Sequence, residues 1–321
     1  MPDTNRFLVE PKQICLYSGW GIGKTSLLYD LAKFLWVEKG LRTLVYTSDT
    51  GGAGPLAAGV SAGAIEVVYT DLYTKNQFNM MDLVVQGFAP PEKGAPLKAW
   101  KKVDFKKEGY GAVCIEGLTS WGQGIMRWAG DKHAQGVQIG MMKTGEGMLF
   151  KDGEDEKGGG GSKYGLNTQV HYGIAQQELA RKVAEAKKLW SELDLVVWTA
   201  LETKVELKKD QNLGLDGKPM AYGPMMPGQA ATAQCGSWFT DVLHLDVVDP
   251  KKQPDGTILG ERKLFLGPHY GAGDPTPYFA KVSVSPDGKM PSCINPSFAT
   301  YFSELDKALK KASEGWKRGG V

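Results

Sequence analysis

The chain has 321 residues, of which 42% are hydrophobic and 23% are charged, and its formal net charge at pH 7 is +2. This composition is typical of a soluble globular protein with one large domain or two small ones. The small net charge excludes a globally basic surface for nucleic acid, and no apolar run is long enough to predict a membrane span. The first residues lack the basic-then-apolar order of a signal peptide, so we expect a cytoplasmic protein.

The first predicted elements are an apolar strand at Ile14–Tyr17, a glycine-rich turn, and a helix that begins at Lys24 and Thr25. Glycines let successive backbone N–H groups curve around an anion, and the helix N-terminus adds partial positive charge at the same point. This order is typical of a phosphate-binding P-loop. The predicted nucleotide-binding residues are Ser18, Gly19, Trp20, Gly21, Ile22, Gly23, Lys24, Thr25 and Ser26.

The P-loop pattern is not strict, because Ser18 stands where the pattern has glycine. The rival dinucleotide pattern G-x-G-x-x-G fails, since Lys24 occupies the place of its last glycine. The alternative to a P-loop is a glycine-rich turn followed by Lys-Thr by chance. The preceding strand and the following helix favour the P-loop.

A phosphate cradle that hydrolyses a nucleotide also needs a carboxylate that holds Mg²⁺. Lys24 is placed to contact the β- and γ-phosphates, and the Thr25 hydroxyl is placed to ligand Mg²⁺. Glu116 ends the apolar run Val113–Glu116, where such a carboxylate belongs, and is predicted to hold Mg²⁺ through a water molecule. The predicted metal residues are therefore Thr25 and Glu116.

Hydrolysis also needs a group that orients the attacking water. Asp49 ends the second predicted strand and is predicted to activate or place this water. Glu202 or Lys204, just beyond a later apolar strand, is a candidate sensor of the γ-phosphate. A strand-end acid can also be a helix cap or a turn residue, and that alternative stays open for each one. The predicted catalytic residues are Lys24, Asp49, Glu116 and Glu202.

Strands and helices alternate over the first 200 residues, which predicts a doubly wound, mainly parallel sheet. Residues 136–168 lose this periodicity, and their charged and glycine-only part predicts a flexible insertion. Gly158–Ser162 is also identical to a common engineered linker. After residue 248 the pattern indicates antiparallel strands and a terminal helix that begins at Asn295-Pro296. The apolar stripe of that helix is predicted to be Phe298, Phe302, Leu305, Leu309, Ala312 and Trp316.

The cysteines and histidines are scattered along the chain without the spacing of metal ligands. Cys15 and Cys114 lie in apolar segments, which predicts buried free thiols in a reducing compartment. The histidines are predicted to have structural roles; they are His133, His171, His244 and His269.

Four segments taken together resemble RecA-type P-loop ATPases. They are Ser18–Thr25, Val45–Gly52, Val113–Trp121 and Leu195–Thr199. The nearest resemblance is to the phage and prophage ATP-binding proteins of the single-strand annealing and recombination group. Those proteins have an acid followed by Gly-Gly at the place of Asp49, and Asp-Ser where this chain has Glu116-Gly117. The resemblance covers about residues 12–248.

The resemblance implies an α/β fold with a RecA-like doubly wound, mainly parallel sheet. The sequence pattern after residue 248 adds a C-terminal antiparallel β extension and a terminal helix. Residues 1–248 would be the ATPase core, and 249–321 an extension of the same domain. The resemblance also implies ATP and Mg²⁺ as cofactors, a homo-oligomer, no membrane, and a location in the host cytoplasm if the protein is phage-encoded.

Single-stranded DNA is a further implied partner. The resemblance places DNA-binding loops at 136–168 and 203–224, and the second loop carries Lys204, Lys208 and Lys209. A basic residue from a neighbouring subunit would complete the nucleotide site. The candidates for that residue are Lys251, Lys252, Arg262 and Lys263.

Two alternatives to a DNA-linked ATPase stay open. A non-hydrolysing nucleotide-binding scaffold, or a partner-recruiting phage factor, is favoured by Glu116 in place of Asp and by Ser18 in place of Gly. A P-loop kinase-type phosphotransferase would need an arginine-rich lid, and the few arginines of this chain do not cluster.

Overall fold

A computed structural model describes residues 7–49, 53–71, 77–92, 94–134, 169–206, 220–252, 254, 258–271, 276–284 and 288–314. The predicted insertion at 136–168 and the lysines Lys208 and Lys209 lie outside these residues. Within the described part, no helix combines the length and the apolar character that crossing a bilayer requires.

The strands follow one another along the whole described chain. In order they are β1 (Lys12–Ser18), β2 (Arg42–Thr47), β3 (Ile65–Tyr69), β4 (Phe88–Ala89), β5 (Lys101–Lys102), β6 (Tyr110–Glu116), β7 (Leu195–Glu206), β8 (Met220–Pro224), β9 (Asp241–Lys252), β10 (Ile258–Phe265), β11 (His269–Tyr270), β12 (Pro277–Tyr278) and β13 (Cys293–Ile294). Among the described residues, eleven of them form one sheet, and β4 and β5 form a separate pair.

The centre of the large sheet is parallel, with neighbouring strands in the order β3, β2, β6, β7, β1, β9. Strand β7 lies between the strand that precedes the P-loop and the strand that ends in Glu116. Because the strands are parallel, their carboxyl ends meet at one edge of the sheet. The predicted α/β fold class with a mainly parallel sheet is confirmed.

Antiparallel strands extend this sheet beyond β9 and along the second half of β7. Strand β10 pairs antiparallel with β9 and β13, and β8 pairs antiparallel with β7. The predicted C-terminal antiparallel extension and terminal helix are confirmed. Strand β9 runs without a break across residue 248, where the two predicted parts of the chain meet.

The helices cover both faces of the sheet. They are α1 (Lys24–Lys39), α2 (Ala57–Ser61), α3 (Gln77–Val85), α4 (Leu118–Ala134), α5 (Gln169–Ala186), α6 (Gln229–Gln234) and α7 (Phe298–Glu314). One apolar core contains residues of α3, α4 and α5, and the other contains residues of α1 and α7. Alternate residues of β1 enter the two cores, Cys15 and Tyr17 on one face and Ile14 and Leu16 on the other. This alternation explains why the whole strand is buried.

A buried polar cluster ties α7 to the sheet. Asp241, at the start of β9, is fully buried and lies 3.0 Å from the Lys12 ammonium. The same carboxylate accepts hydrogen bonds from the Tyr301 hydroxyl and from the backbone N–H of Ser283, the latter at 2.7 Å. Two strands, a helix and a connecting segment therefore share one buried carboxylate.

Candidate nucleotide site

The predicted P-loop residues lie in a loop between the end of β1 at Ser18 and the start of α1 at Lys24. Gly21 and Gly23 have φ values of 71° and 113°, a backbone region that strongly favours glycine. Trp20 is 84% exposed, so this bulky side chain points away from the core. The loop therefore has the backbone conformation of an anion cradle.

Lys24 folds back over the start of its own loop. Its Nζ donates to the Ser18 carbonyl at 3.2 Å, to the Ser18 Oγ at 3.1 Å and to the Gly19 carbonyl at 3.0 Å. The Ser18 hydroxyl, which is buried, donates in turn to the Gly19 carbonyl at 3.0 Å. Serine in place of glycine therefore fits the loop and adds a contact to the lysine.

Burial lowers the pKa of Lys24, and the negative charges of Glu202 and Glu116 oppose that effect. This ammonium donates to two carbonyl oxygens and one hydroxyl and lies in the field of two carboxylates, so it is placed to bind a more strongly negative group.

Glu116 and Thr25 meet at the floor of the site. The Thr25 hydroxyl donates to Glu116 Oε1. The other carboxylate oxygen, Oε2, is buried and has no hydrogen-bond partner among the described residues. An orphaned carboxylate oxygen beside a hydroxyl is a set of hard oxygen donors, and these two residues therefore fit Mg²⁺.

Gly117 follows Glu116 at the end of β6, where the proteins that this chain resembles have serine. Its φ is 95°, and its N–H donates to the Thr199 hydroxyl at 3.0 Å. Its carbonyl accepts from the Trp121 N–H at 2.9 Å, so the chain turns directly from the strand into α4. Neither Gly117 nor Thr199 was predicted as a site residue, although a glycine directly after a strand-end acid is a turn signal.

Asp49 lies at the rim of the same site. Strands β2 and β6 pair Thr47 with Glu116, which brings the end of β2 to the same sheet edge. The Asp49 backbone N–H donates to the Thr47 hydroxyl at 3.1 Å, and Asp49 itself is exposed. A cavity of about 410 Å³ is lined by Lys24, Thr25, Asp49, Glu116, Gly117 and Thr199, among others.

Glu202 lies beside the start of the P-loop. Its Oε1 is 3.5 Å from the place where a Cβ on Gly19 would stand. Its Oε2 is 3.1 Å from Nε2 of His244, a fully buried histidine of β9. Glu202 therefore contacts the phosphate loop on one side and the C-terminal strands on the other.

A second cavity of about 950 Å³ adjoins the P-loop on the side of β9 and β10. It is lined by Trp20, Gly21, Ile22 and Arg262, among others. An Arg262 guanidinium nitrogen lies 3.3 Å from the Cβ position of Gly23. The chain thus places this arginine against its own P-loop.

Lys251 and Lys263, two other candidates for the residue from a neighbouring subunit, have described side chains and do not line these cavities. Lys263 contacts the Glu261 carboxylate and donates to Asn295 at 3.1 Å. Lys251 is exposed, and the side chain of Lys252 is outside the described part.

The predicted DNA-binding loop at 203–224 includes parts of β7 and β8, which pair as an antiparallel hairpin. Lys204 is exposed on this hairpin, and its Nζ lies 5.3 Å from the centre of the Tyr222 ring, a cation–π contact. The hairpin tip at 207–219 lies outside the described residues.

No protein-family model and no curated protein matches this chain. Among solved structures, the chain is similar to a KaiC-like protein from the hyperthermophilic archaeon Pyrococcus horikoshii OT3. The two are 11% identical with a TM-score of 0.37, and the match covers 80% of this chain and 78% of the other. A likeness of this size carries no conclusion about activity.

Proposed function

We propose that this protein is an ATP-binding P-loop ATPase that uses Mg²⁺. The observation that carries the proposal is the meeting of Lys24, Thr25 and Glu116 at one cavity of the sheet edge. The lysine lies on a loop of left-handed glycines, and the carboxylate has an oxygen left unpartnered among the described residues. This combination of cradle, ammonium and oxygen donors suits a magnesium nucleotide.

Each residue then has a defined role. Lys24 would exchange its contacts with loop oxygens for contacts with the β- and γ-phosphates, while the loop N–H groups hold the same phosphates. Thr25 and Glu116 would hold Mg²⁺, which when bound neutralises charge on the phosphate oxygens. Asp49, exposed at the rim, would orient the attacking water, and Glu202 would sense the γ-phosphate.

We also propose that ATP turnover is coupled to single-stranded DNA in phage-type recombination or repair, with the protein acting as a homo-oligomer. Support comes from β7, in which Leu201 pairs with Ser18 at the start of the P-loop. The same strand continues to Glu206 and into the hairpin that carries Lys204, Lys208 and Lys209. A movement of the P-loop on binding phosphate would therefore act on β7, and β7 leads directly into a basic loop.

The test is ATP turnover by the full chain with Mg²⁺, with and without single-stranded DNA, together with ATP binding measured by calorimetry. Lys24→Ala should abolish turnover and weaken ATP binding by roughly 10- to 100-fold, the value of a lost charged hydrogen bond. Lys33→Ala, an exposed lysine of the same helix, is the matched control and should change neither.

Retained turnover in Lys24→Ala would rule out this site. ATP binding without turnover, even with DNA present, would instead favour a nucleotide-binding scaffold. Turnover that does not respond to DNA would remove the DNA-coupled part of the proposal and leave the ATPase.

A further inference from the structure

Two histidines and an aspartate converge beside the candidate nucleotide site. His244 and Asp246 belong to β9, and His269 begins β11. Nδ1 of His244 lies 3.0 Å from Nε2 of His269. One ligand atom from each of the three residues lies within 4.8 Å of the others. His244 is buried, and the other two are half-buried.

The outward nitrogens of both rings already face acceptors. Nε2 of His244 lies 3.1 Å from a carboxylate oxygen of Glu202, and Nδ1 of His269 lies 3.3 Å from the carbonyl of Gly267. An ionised carboxylate and a carbonyl only accept hydrogen bonds, so each ring uses its N–H there. With the ring protons placed there, the two inward nitrogens present lone pairs to each other. A cation between the rings, either a proton or a metal ion, would stabilise that contact.

We propose that His244 Nδ1, His269 Nε2 and an Asp246 carboxylate oxygen bind one divalent transition metal ion of the Zn²⁺ or Co²⁺ class. Imidazole and carboxylate ligands suit these ions, whereas Mg²⁺ prefers oxygen ligands alone. A proton shared by the two rings would need no third ligand, yet Asp246 converges on the same point. Three protein ligands leave a fourth tetrahedral position for water.

The surroundings are those of a metal site. Metal-bound histidines usually donate the other ring N–H to a carboxylate or to a carbonyl, and here Glu202 and Gly267 accept.

Stacking holds the rings in place. The centre of the His244 ring lies 4.5 Å from that of Tyr17 and 4.4 Å from that of Tyr278. His269 is held in the same way, by stacking on Phe265 at 3.5 Å.

An ion has a route to this position, because Asp246 lines the cavity of about 950 Å³ that adjoins the P-loop. The ion would join β9 to β11, and through Glu202 it would fix the strand end beside Gly19. This assignment does not depend on ATP hydrolysis. Failure of the proposed ATPase would leave it untouched, and the reverse also holds.

The test is titration of the metal-free full chain with Co²⁺, followed by its visible absorption. We expect one bound equivalent with the intense band of four-coordinate Co²⁺, displaced by Zn²⁺ and not by excess Mg²⁺. Asp246→Asn, which preserves size, and His269→Ala should each weaken binding by at least about 10-fold. His171→Gln and Glu116→Gln should retain the band, because neither residue is a ligand of this site.

A Co²⁺ isotherm and spectrum unchanged in both Asp246→Asn and His269→Ala would overturn the assignment. Absence of Co²⁺ and Zn²⁺ binding to the folded wild-type chain would overturn it as well, and would leave a proton shared between the rings. If His269→Ala does not fold, the result of the isosteric Asp246→Asn decides.

Discussion

Glu116 and Asp49 both lie at the cavity, yet their surroundings differ in a way that separates their roles. Glu116 is bonded to Thr25 and keeps one buried oxygen without a partner in the described part of the chain, whereas Asp49 is exposed at the rim. Buried oxygen donors suit a metal, and an exposed acid suits contact with water or solvent-facing phosphate. The roles can therefore be separated by two isosteric substitutions.

Glu116→Gln should reduce the ATP turnover number by about 100-fold, because an amide is a poorer partner for Mg²⁺ than a carboxylate. Asp49→Asn should also reduce turnover more than it reduces ATP binding. Turnover and calorimetric binding are measured on the same preparations, with thermal unfolding as a check of folding. A change of stability alone in Asp49→Asn would identify Asp49 as a turn residue.

Gly117 allows the abrupt turn that carries Glu116 into the site. Gly117→Ala would force a Cβ onto a residue with φ of 95°, with its nearest neighbours, the hydroxyl oxygens of Ser120 and Ser48, at 3.4 Å. We expect a loss of about 1–3 kcal/mol in the free energy of unfolding, measured in urea. Gly54→Ala is the control, because its φ is not in the left-handed region and no atom lies within 4 Å of the added carbon. Equal stabilities would show that the turn is not strained.

The sequence predicted the P-loop residues because they are contiguous and follow a pattern with a physical cause. The cluster of His244, Asp246 and His269 was not predicted, since 25 residues separate the two histidines. Only the spacing of His244 and Asp246, two apart on one strand and hence on one face, hinted at a site. Strand β10 pairs antiparallel with β9 and brings the chain back beside His244, just before His269. The register of that pairing is not visible as a sequence motif.

Among the helices, α7 differs in two details from the prediction made from its apolar pattern. The helix begins at Phe298 and not at Asn295-Pro296, and the Ser297 carbonyl accepts its first helical bond, from the Tyr301 N–H. Leu309, predicted in the apolar stripe, is 36% exposed, and Ala308 is buried in its place.

Another part of the chain crosses α7 closely at Ala308. A Cβ on Gly288 would stand 2.7 Å from the Ala308 carbonyl. The crossing therefore leaves no room for a side chain at position 288. Hydrophobicity predicts which residues are apolar, but local shape decides which of them are buried.

The charge cluster under α7 gives a prediction for the same element. Asp241→Asn would leave the Lys12 ammonium, 8% exposed, without its buried counter-charge. We expect a loss of about 3–5 kcal/mol in the free energy of unfolding, measured with denaturant. Tyr301→Phe removes one hydrogen bond to the same carboxylate and should cost about 1.5–3 kcal/mol. A smaller loss for Asp241→Asn than for Tyr301→Phe would show that the ion pair stabilises the fold less than this hydrogen bond does.

The β7–β8 hairpin is the element on which the DNA proposal depends. Replacing Lys208 and Lys209 together with alanine should lower the affinity for single-stranded DNA. It should also flatten the slope of log K against log salt by about 1.4, since each phosphate contact on a single strand contributes about 0.7. The control is Lys310→Ala with Lys311→Ala, an adjacent exposed pair on α7. An unchanged slope would remove the hairpin from the DNA surface.

For the whole molecule, the question is whether the C-terminal part behaves as a separate unit. One apolar core contains Leu27 and Leu31 of α1 together with Phe298 and Phe302 of α7. The sheet also continues across the predicted boundary, because β9 pairs with β1 over Asp241–His244 and with β10 along most of its length. Separating residues 1–248 from the rest would therefore expose apolar surface on both sides.

We accordingly expect the full chain to unfold in one cooperative transition, with equal calorimetric and van't Hoff enthalpies. Mg²⁺ and ATP at about 100 times the Kd should stabilise the chain by about 2.7 kcal/mol and shift this whole transition upward. The unfolding of residues 249–321 must shift together with that of the P-loop core. In a single cooperative unit, the free energy of nucleotide binding stabilises every part of the chain. Differential scanning calorimetry with and without Mg-ATP measures both quantities, and Lys24→Ala should lose most of the nucleotide-dependent shift. Two separable transitions, with only one moved by nucleotide, would show that residues 249–321 fold independently of the P-loop core.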